Sequence, residues 1–283
     1  MMGRRQTEEW VFKGLMYLSL AVVLGSLFAV FAIVIIKGMF ALNIAMVTQT
    51  PHGGYYLGKE GGVLNAIIGS IYLSVGAIII ALIISIPTAW YLQKFSRTSK
   101  YAAGIRMMLD IASGIPSLLY GAFIFLIMIM FQARASLLWG IITVGIFIAP
   151  LLTRAVDEVM QMVPAKIKEA SYSLGATKWE TIFRVVTMQA FPGLITAVLV
   201  AFGRGIGDAA SVLFTAGYTD SIPTSLNDPV ATLPLAIFFQ LGTPFPAVQD
   251  RAYACGIILL VIVLIISIGS RYLSKKYSKY CIK

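Results

Sequence analysis

PAKIKEASYSLGATKWETIFR, Pro164 to Arg184, is a short polar stretch inside an otherwise apolar chain. Pro164 suits the first turn of a helix, where its missing N–H is no loss. Gly175 suits the left-handed conformation that ends one. Thr177 and Glu180 have the spacing of a capping box, so a second helix starts at once. The expected object is a helix of about three turns, a tight glycine corner and another helix. Ile167, Ala170, Ser171 and Leu174 share one face of the first helix. Such an element is either a surface shown to a partner or an ordinary capped loop.

Its surroundings are oily. Of 283 residues, 59% are hydrophobic and only 12% charged, where soluble domains carry roughly twice that charged fraction. Mean hydropathy is +0.87. The chain reads as an all-α membrane protein with six transmembrane helices. The segments are Gly14–Ile36, Gly61–Gln93, Ile111–Ala133, Ala135–Thr153, Val185–Gly203 and Ala252–Ser270. Each nears or exceeds the roughly 20 apolar residues a crossing needs. The fifth is expected to continue past Arg204 and Asp208 to about Thr219.

Basic residues set the orientation. Seventeen lie before the first span, between spans two and three, between four and five, and after the sixth, whereas only Lys37, Lys59, Arg134 and Arg251 lie on the other side. The positive-inside rule then places both termini and the glycine-cornered element in the cytoplasm. The net charge of +10 fits this topology and anionic lipid headgroups, with no need of nucleic acid. The N-terminal apolar run reads as an uncleaved first span rather than a signal peptide. Cys255 falls in the sixth span and Cys281 in the tail, so they form no disulfide framework.

The segment from Lys37 to about Gly62 holds six glycines and is expected to be a flexible external loop. A second external segment, from about Asp220 to Arg251, contains the short apolar stretch Ala231–Leu241. It is too short to span and is read as a packed loop or a segment re-entering the membrane edge. Pro87, Pro116, Pro150 and Pro192 interrupt spans, and Gly114-Ile115-Pro116-Ser117 is the strongest break.

Chemistry has few carriers. A lone histidine, His52, and two separated cysteines exclude His-pair catalysis and a His- or Cys-based metal site. No G-x-x-x-x-G-K-[ST] occurs, so the chain has no Walker A phosphate-binding loop of its own. The notable charges are Arg204 and Asp208, four apart in the fifth span and expected on one helix face. Intramembrane charges face an interior or a wet cavity. Arg204 is either a cation that attracts an anion in a pathway, restrained by Asp208, or one half of a structural ion pair. Arg154, Asp157 and Glu158 form a second cluster, at the cytoplasmic end of the fourth span. They read as a solvated helix end or as the inner mouth of the pathway. Asp110 reads as an N-terminal helix charge.

Glu169-Ala170-Ser171-Tyr172-Ser173-Leu174-Gly175 resembles the E-A-A-x-x-x-G signature of bacterial and archaeal ABC importer permeases, with Ser171 at the second alanine. Gly61–Ser70, Gly114–Ser117, Leu213–Ala216, Ala231–Pro234, Arg204-x-x-Gly207-Asp208 and Arg154-x-x-Asp157 are similar to phosphate permeases of the PstA type. Asp208 stands where that family more often has Glu. The resemblance implies a type I ABC importer permease fold in the plasma membrane of a bacterium or archaeon. It divides the chain into 1–60 (N-terminus, first span and external loop), a five-helix core at 61–274 with a coupling helix at 164–175, and a basic tail at 275–283. It implies an inorganic phosphate importer with a second permease of the PstC type, an ATPase dimer of the PstB type and an external binding protein of the PstS type. ATP and Mg would sit on the ATPase, with no cofactor or metal on this chain. Glu169, Ala170, Leu174 and Gly175 would couple to the ATPase. Arg204, Asp208, Arg154 and Asp157 would line the transport pathway. A same-fold permease for molybdate or sulfate, and an ATP-independent channel or membrane enzyme, remain the alternatives.

Overall fold

Backbone in lipid is satisfied only in helices or closed barrels, and continuous apolar runs of this length fit helices. The computed structural model describes residues 2–52, 60–94 and 99–277. In order, the helices are α1 (Met2–Ala41), α2 (Ile44–Thr48), α3 (Leu64–Lys94), α4 (Lys100–Gly114), α5 (Ser117–Met130), α6 (Leu137–Gln161), α7 (Ala165–Ser173), α8 (Lys178–Glu180), α9 (Thr187–Ile206), α10 (Leu233–Leu241) and α11 (Pro246–Tyr277). A π-helical segment, Thr181–Val186, joins α8 to α9. Among the described residues, five helical stretches are long and apolar enough to cross a membrane. A sixth is reached if α4 and α5, which meet at 91°, together count as one broken span.

That division corrects the expected span Ile111–Ala133. Ile115 precedes a proline and is steered from the helical region; it and Pro116 take ψ of 130° and 135°. The helix breaks there instead of kinking. With 14 residues, α5 is about 21 Å long, too short to cross alone. Pro87, Pro150 and Pro192 lie inside α3, α6 and α9.

The core is built on α3 packed against α6. Ala77, Ala81 and Ala89 on α3 and Val144, Leu152 and Met160 on α6 are fully buried. Small residues let the helices approach: a side chain at Gly76 would meet Ile141, and one at Gly145 would meet Ile80. By contrast, α1 lies along α11 and otherwise exposes its apolar surface.

The fifth span ends earlier than expected. Helix α9 stops at Ile206, and residues 207–232 are turns and irregular backbone. Non-helical backbone survives at membrane depth only where protein shields it and satisfies its polar groups. Here Ser136 N donates to Thr215 O (3.0 Å), Leu137 N to Asp228 O (2.8 Å) and Leu138 N to Leu226 O (2.8 Å). Asn65 Nδ2 donates to Thr219 O at 2.7 Å. Leu233 N donates to Ser70 Oγ at 2.8 Å. Gly69 admits this segment, because a Cβ there would overlap the Ala231 carbonyl and the Val230 side chain. Gly69→Val is expected to destabilise the protein by about 1–3 kcal/mol, the usual cost of overpacking. A lowered midpoint of thermal unfolding in detergent checks this, and an unchanged midpoint would count against the packing described.

The stretch Ala231–Leu241 is a packed loop and short helix. Thr232 caps α10, accepting from Leu235 N, and Leu233, Leu235 and Ala236 are buried. The glycine-rich segment after α1 is also more ordered than expected over its described residues. Asn43 caps α2, accepting from Met46 N at 2.7 Å. Pro51 and His52 pair antiparallel with Gly61 and Glu60. Gly53, Gly54, Gly58, Lys59, Arg97 and Cys281 lie outside the described residues.

Candidate coupling surface and pathway residues

The polar element quoted first is a helix–corner–helix. Pro164 takes ψ 138° and sits at the N-cap, one place before the expected first turn. Helix α7 has nine residues, or about two and a half turns. Gly175 has φ +84°. Ala176 N donates to Ser171 O (3.2 Å) and Gly175 N to Tyr172 O (2.9 Å), the paired bonds of a Schellman ending. The Thr177–Glu180 capping box is complete.

The face expected to be shared is divided. Ile167 and Ser171 turn inward; Ala170 is exposed and Leu174 is 89% exposed. The Ser171 hydroxyl shares a buried hydrogen bond with Thr181 Oγ1 at 2.9 Å. The serine at the second alanine of the signature therefore fastens α7 to the π segment. Glu169 and Gly175 are exposed with Ala170 and Leu174. An exposed leucine on a rigid polar corner supplies apolar contact at low entropic cost.

Behind the corner, Trp90 Nε1 donates to Thr187 Oγ1 at 3.0 Å. Its ring packs edge-on to Phe183, centroids 4.4 Å apart. Lys94 Nζ lies 5.1 Å from the Trp179 ring. Apolar periodicity carries no sign of the π segment, which only these contacts locate.

The second cluster is not a solvated helix end. The Asp157 side chain is fully buried, and Arg106 Nε meets its Oδ2 at 2.7 Å. Arg106 Nη2 reaches Oδ1 at 3.3 Å. Gln93 Nε2 donates to Oδ1 at 2.8 Å and Gln161 Nε2 to Oδ2 at 2.6 Å. A buried carboxylate is tolerable when paired and hydrogen-bonded in this way. Arg154 stands 3.7 Å from Asp157, 3.2 Å from Glu158 and 2.6 Å from Asp110. Asp110 is therefore an ion-pair partner in the third turn of α4, not a helix-start charge. Arg106 and Gln93 had no signal in the sequence beyond the loop charge of the one and the polarity of the other.

Arg204 and Asp208 do not share a helix face, because α9 ends between them. Arg204 is exposed on the last turn of α9. Its guanidinium carbon lies 5.3 Å from the Phe147 ring centroid, a cation–π contact. Among the described residues no carboxylate pairs with it. The helix C-terminus provides the partial negative charge that favours a cation. Asp208 instead builds the corner that follows: its Oδ1 accepts from Ser117 Oγ at 2.8 Å and its Oδ2 from Ser211 N at 2.9 Å. Ser117, the first residue of α5, escaped notice as a partner.

The family model described as "Binding-protein-dependent transport system inner membrane component" matches residues 85–279. The chain belongs to this family. Its members' place is the inner membrane, which agrees with the apolar helices. The chain is 30% identical over 268 residues to a "Phosphate transport system permease protein PstA" of Haemophilus influenzae, covering 94% of each. It is 29% identical to one of Yersinia pestis, over 98% of this chain and 95% of the relative. Among solved structures, an inward-facing MetNI methionine ABC transporter matches with a TM-score of 0.64 at 16% identity, over 76% of this chain and 95% of that one. A bacterial alginate ABC transporter matches with a TM-score of 0.60, also at 16% identity, over 93% and 96%. At such identity these likenesses concern the fold, which is that of ABC importer permeases.

Proposed function

We propose that this chain is the PstA-type permease subunit of an ATP-driven, binding-protein-dependent importer of inorganic phosphate. The observation that carries the reading is the 30% identity to a phosphate permease over 94% of both chains. The chain is a permease subunit and not itself an enzyme. ATP hydrolysis belongs to a separate ATPase dimer, which docks on the exposed face of Glu169, Ala170, Leu174 and Gly175. A second permease of the PstC type completes the pathway, and an external binding protein of the PstS type delivers phosphate. ATP and Mg remain with the ATPase. The excess of basic residues on one side supports cytoplasmic termini and a cytoplasmic coupling corner.

Phosphate is a dianion or monoanion near neutral pH, and a lone cation in an apolar wall lowers the cost of its passage. Arg204 is exposed with no carboxylate against it among the described residues, so it supplies that charge. Asp208 holds the turn beside it. Arg154, three-quarters buried at the cytoplasmic end of α6, is engaged by Asp110, Asp157 and Glu158, so it shapes the inner mouth and offers it no free cation.

The test is ATP-dependent uptake of labelled phosphate into vesicles holding all the subunits, with molybdate and sulfate as competitors. Phosphate is expected to accumulate and to be displaced only weakly by the other two oxyanions. Molybdate or sulfate uptake without phosphate uptake would overturn the substrate, and uptake without ATP would overturn the class.

A further inference from the structure

The ion pairs between α4 and α6 form a crossed ladder. On α4, Arg106 and Asp110 are one turn apart, cation then anion. On α6, Arg154 and Asp157 are one turn apart, again cation then anion. The rungs join Arg106 to Asp157 and Asp110 to Arg154, with contacts of 2.7 Å and 2.6 Å. The helices therefore run antiparallel here, and the two rungs have opposite polarity. Sliding α4 one turn along α6 in one direction sets Asp110 against Asp157. Sliding it in the other sets Arg106 against Arg154. Both slips place like charges together and strip the buried Asp157 of its Arg106 partner, so the observed register is favoured over its neighbours.

Helix α7 follows α6 after three residues, and that link is tight: Met162 N donates to Glu158 O (3.1 Å) and Val163 N to Met160 O (3.4 Å). Lys168 of α7 reaches Gln93 Oε1 at 3.4 Å, and Gln93 is itself bonded to Asp157. At the other end of α4, the 91° bend is braced, because Tyr120 OH on α5 donates to Ala112 O on α4 at 2.8 Å. Just past the bend, Ser117 meets Asp208.

We infer that the Arg106–Asp157 and Arg154–Asp110 ladder locks α4, α6 and α7 into one body, so that displacement of the coupling corner is delivered through the braced bend to the Ser117–Asp208 contact beside Arg204. Arg106 and Asp157 are positioning residues in this scheme. The inference rests on the reading of the chain as an ATP-driven phosphate permease. It gives Asp157, which is buried and fully engaged, a mechanical role in place of contact with the solute.

Two measurements on the assembled transporter test it. In the first, phosphate taken up per ATP hydrolysed is compared for Arg106→Gln, Asp157→Asn and the double variant. A purely structural role would reduce the amount of assembled complex but not this ratio. Each single change is expected to lower the ratio about tenfold, and the double change no further, since both remove one contact. Unchanged ratios in the single variants, or losses that multiply in the double, would overturn the lock. The second needs no change to the ladder. Spin labels at Met108→Cys on α4 and Met162→Cys after α6, both exposed, are placed in a Cys281→Ser background. Their separation is expected to stay constant between nucleotide-free and ATP-held states. A change of about a helical turn, ~5 Å, would sink the inference even if the ladder variants fail to assemble. A native transporter that takes up no phosphate would refute the functional reading alone, because the label distances still report on the lock.

Discussion

Arg204→Ala is expected to leave the protein inserted and assembled with its partners while phosphate uptake falls roughly 10- to 100-fold. The size follows from hydrogen bonds to a charged group, worth about 1.5–3 kcal/mol, with about 1.4 kcal/mol for each factor of ten. Assembly should survive because Arg204 is exposed and holds no ion pair among the described residues, only the face of Phe147. Its removal orphans no buried carboxylate, unlike removal of Arg106 from Asp157. Arg204→Lys keeps the charge and is expected to keep more uptake than Ala. Uptake by the Ala variant at the native rate would remove Arg204 from the pathway.

Gly175→Asp is expected to separate ATP hydrolysis from transport, with uptake lowered at least about tenfold, the loss of a single strong interface contact. Gly175 has φ +84°, but a side chain there meets open space. Aspartate tolerates the left-handed region better than most residues, so the corner should still form. The damage comes from a new carboxylate beside Leu174, on the face proposed to enter the ATPase. Gly175→Asn has nearly the same shape without the charge, and it should stay much closer to the native protein. Vesicle uptake and ATP hydrolysis measured on the same preparations check both variants. Equal losses for Asp and Asn would point to backbone geometry instead of surface charge.

Much of this architecture was legible because it rests on local rules. Charge-free apolar runs mark the spans, and Pro164, Gly175, Thr177 and Glu180 mark the corner, since capping depends on neighbours within about five residues. What was misread depends on residues far apart in sequence. The run from Gly203 to Thr219 is mostly apolar or small apart from Arg204 and Asp208, so hydropathy extends the fifth span through it. The end of α9 at Ile206 becomes visible only with the backbone partners that α3 and α6 supply to the following turns. The Arg106–Asp157 pair spans 51 positions, and nothing in a loop arginine announces a buried mate. The inward turn of Ser171 likewise depends on Thr181, across the corner. Gly114-Ile115-Pro116 advertised a break, but its 91° angle depends on the packing of both halves.

The irregular stretch 207–232 has a consequence for biogenesis. The long-range hydrogen bonds that hold it, from the side chains of Asn65 and Ser117 and the amides of Ser136, Leu137 and Leu138, come from earlier parts of the chain. Membrane helices insert first and associate afterwards, and a nascent chain emerges from its N-terminus. When the stretch leaves the ribosome, the groups that will satisfy its backbone are already in the bilayer. This irregular backbone is thus made after its long-range hydrogen-bond partners, and the order of translation anticipates an order of assembly in which Phe239 and the start of α11 come last, against Tyr218 and Ala231.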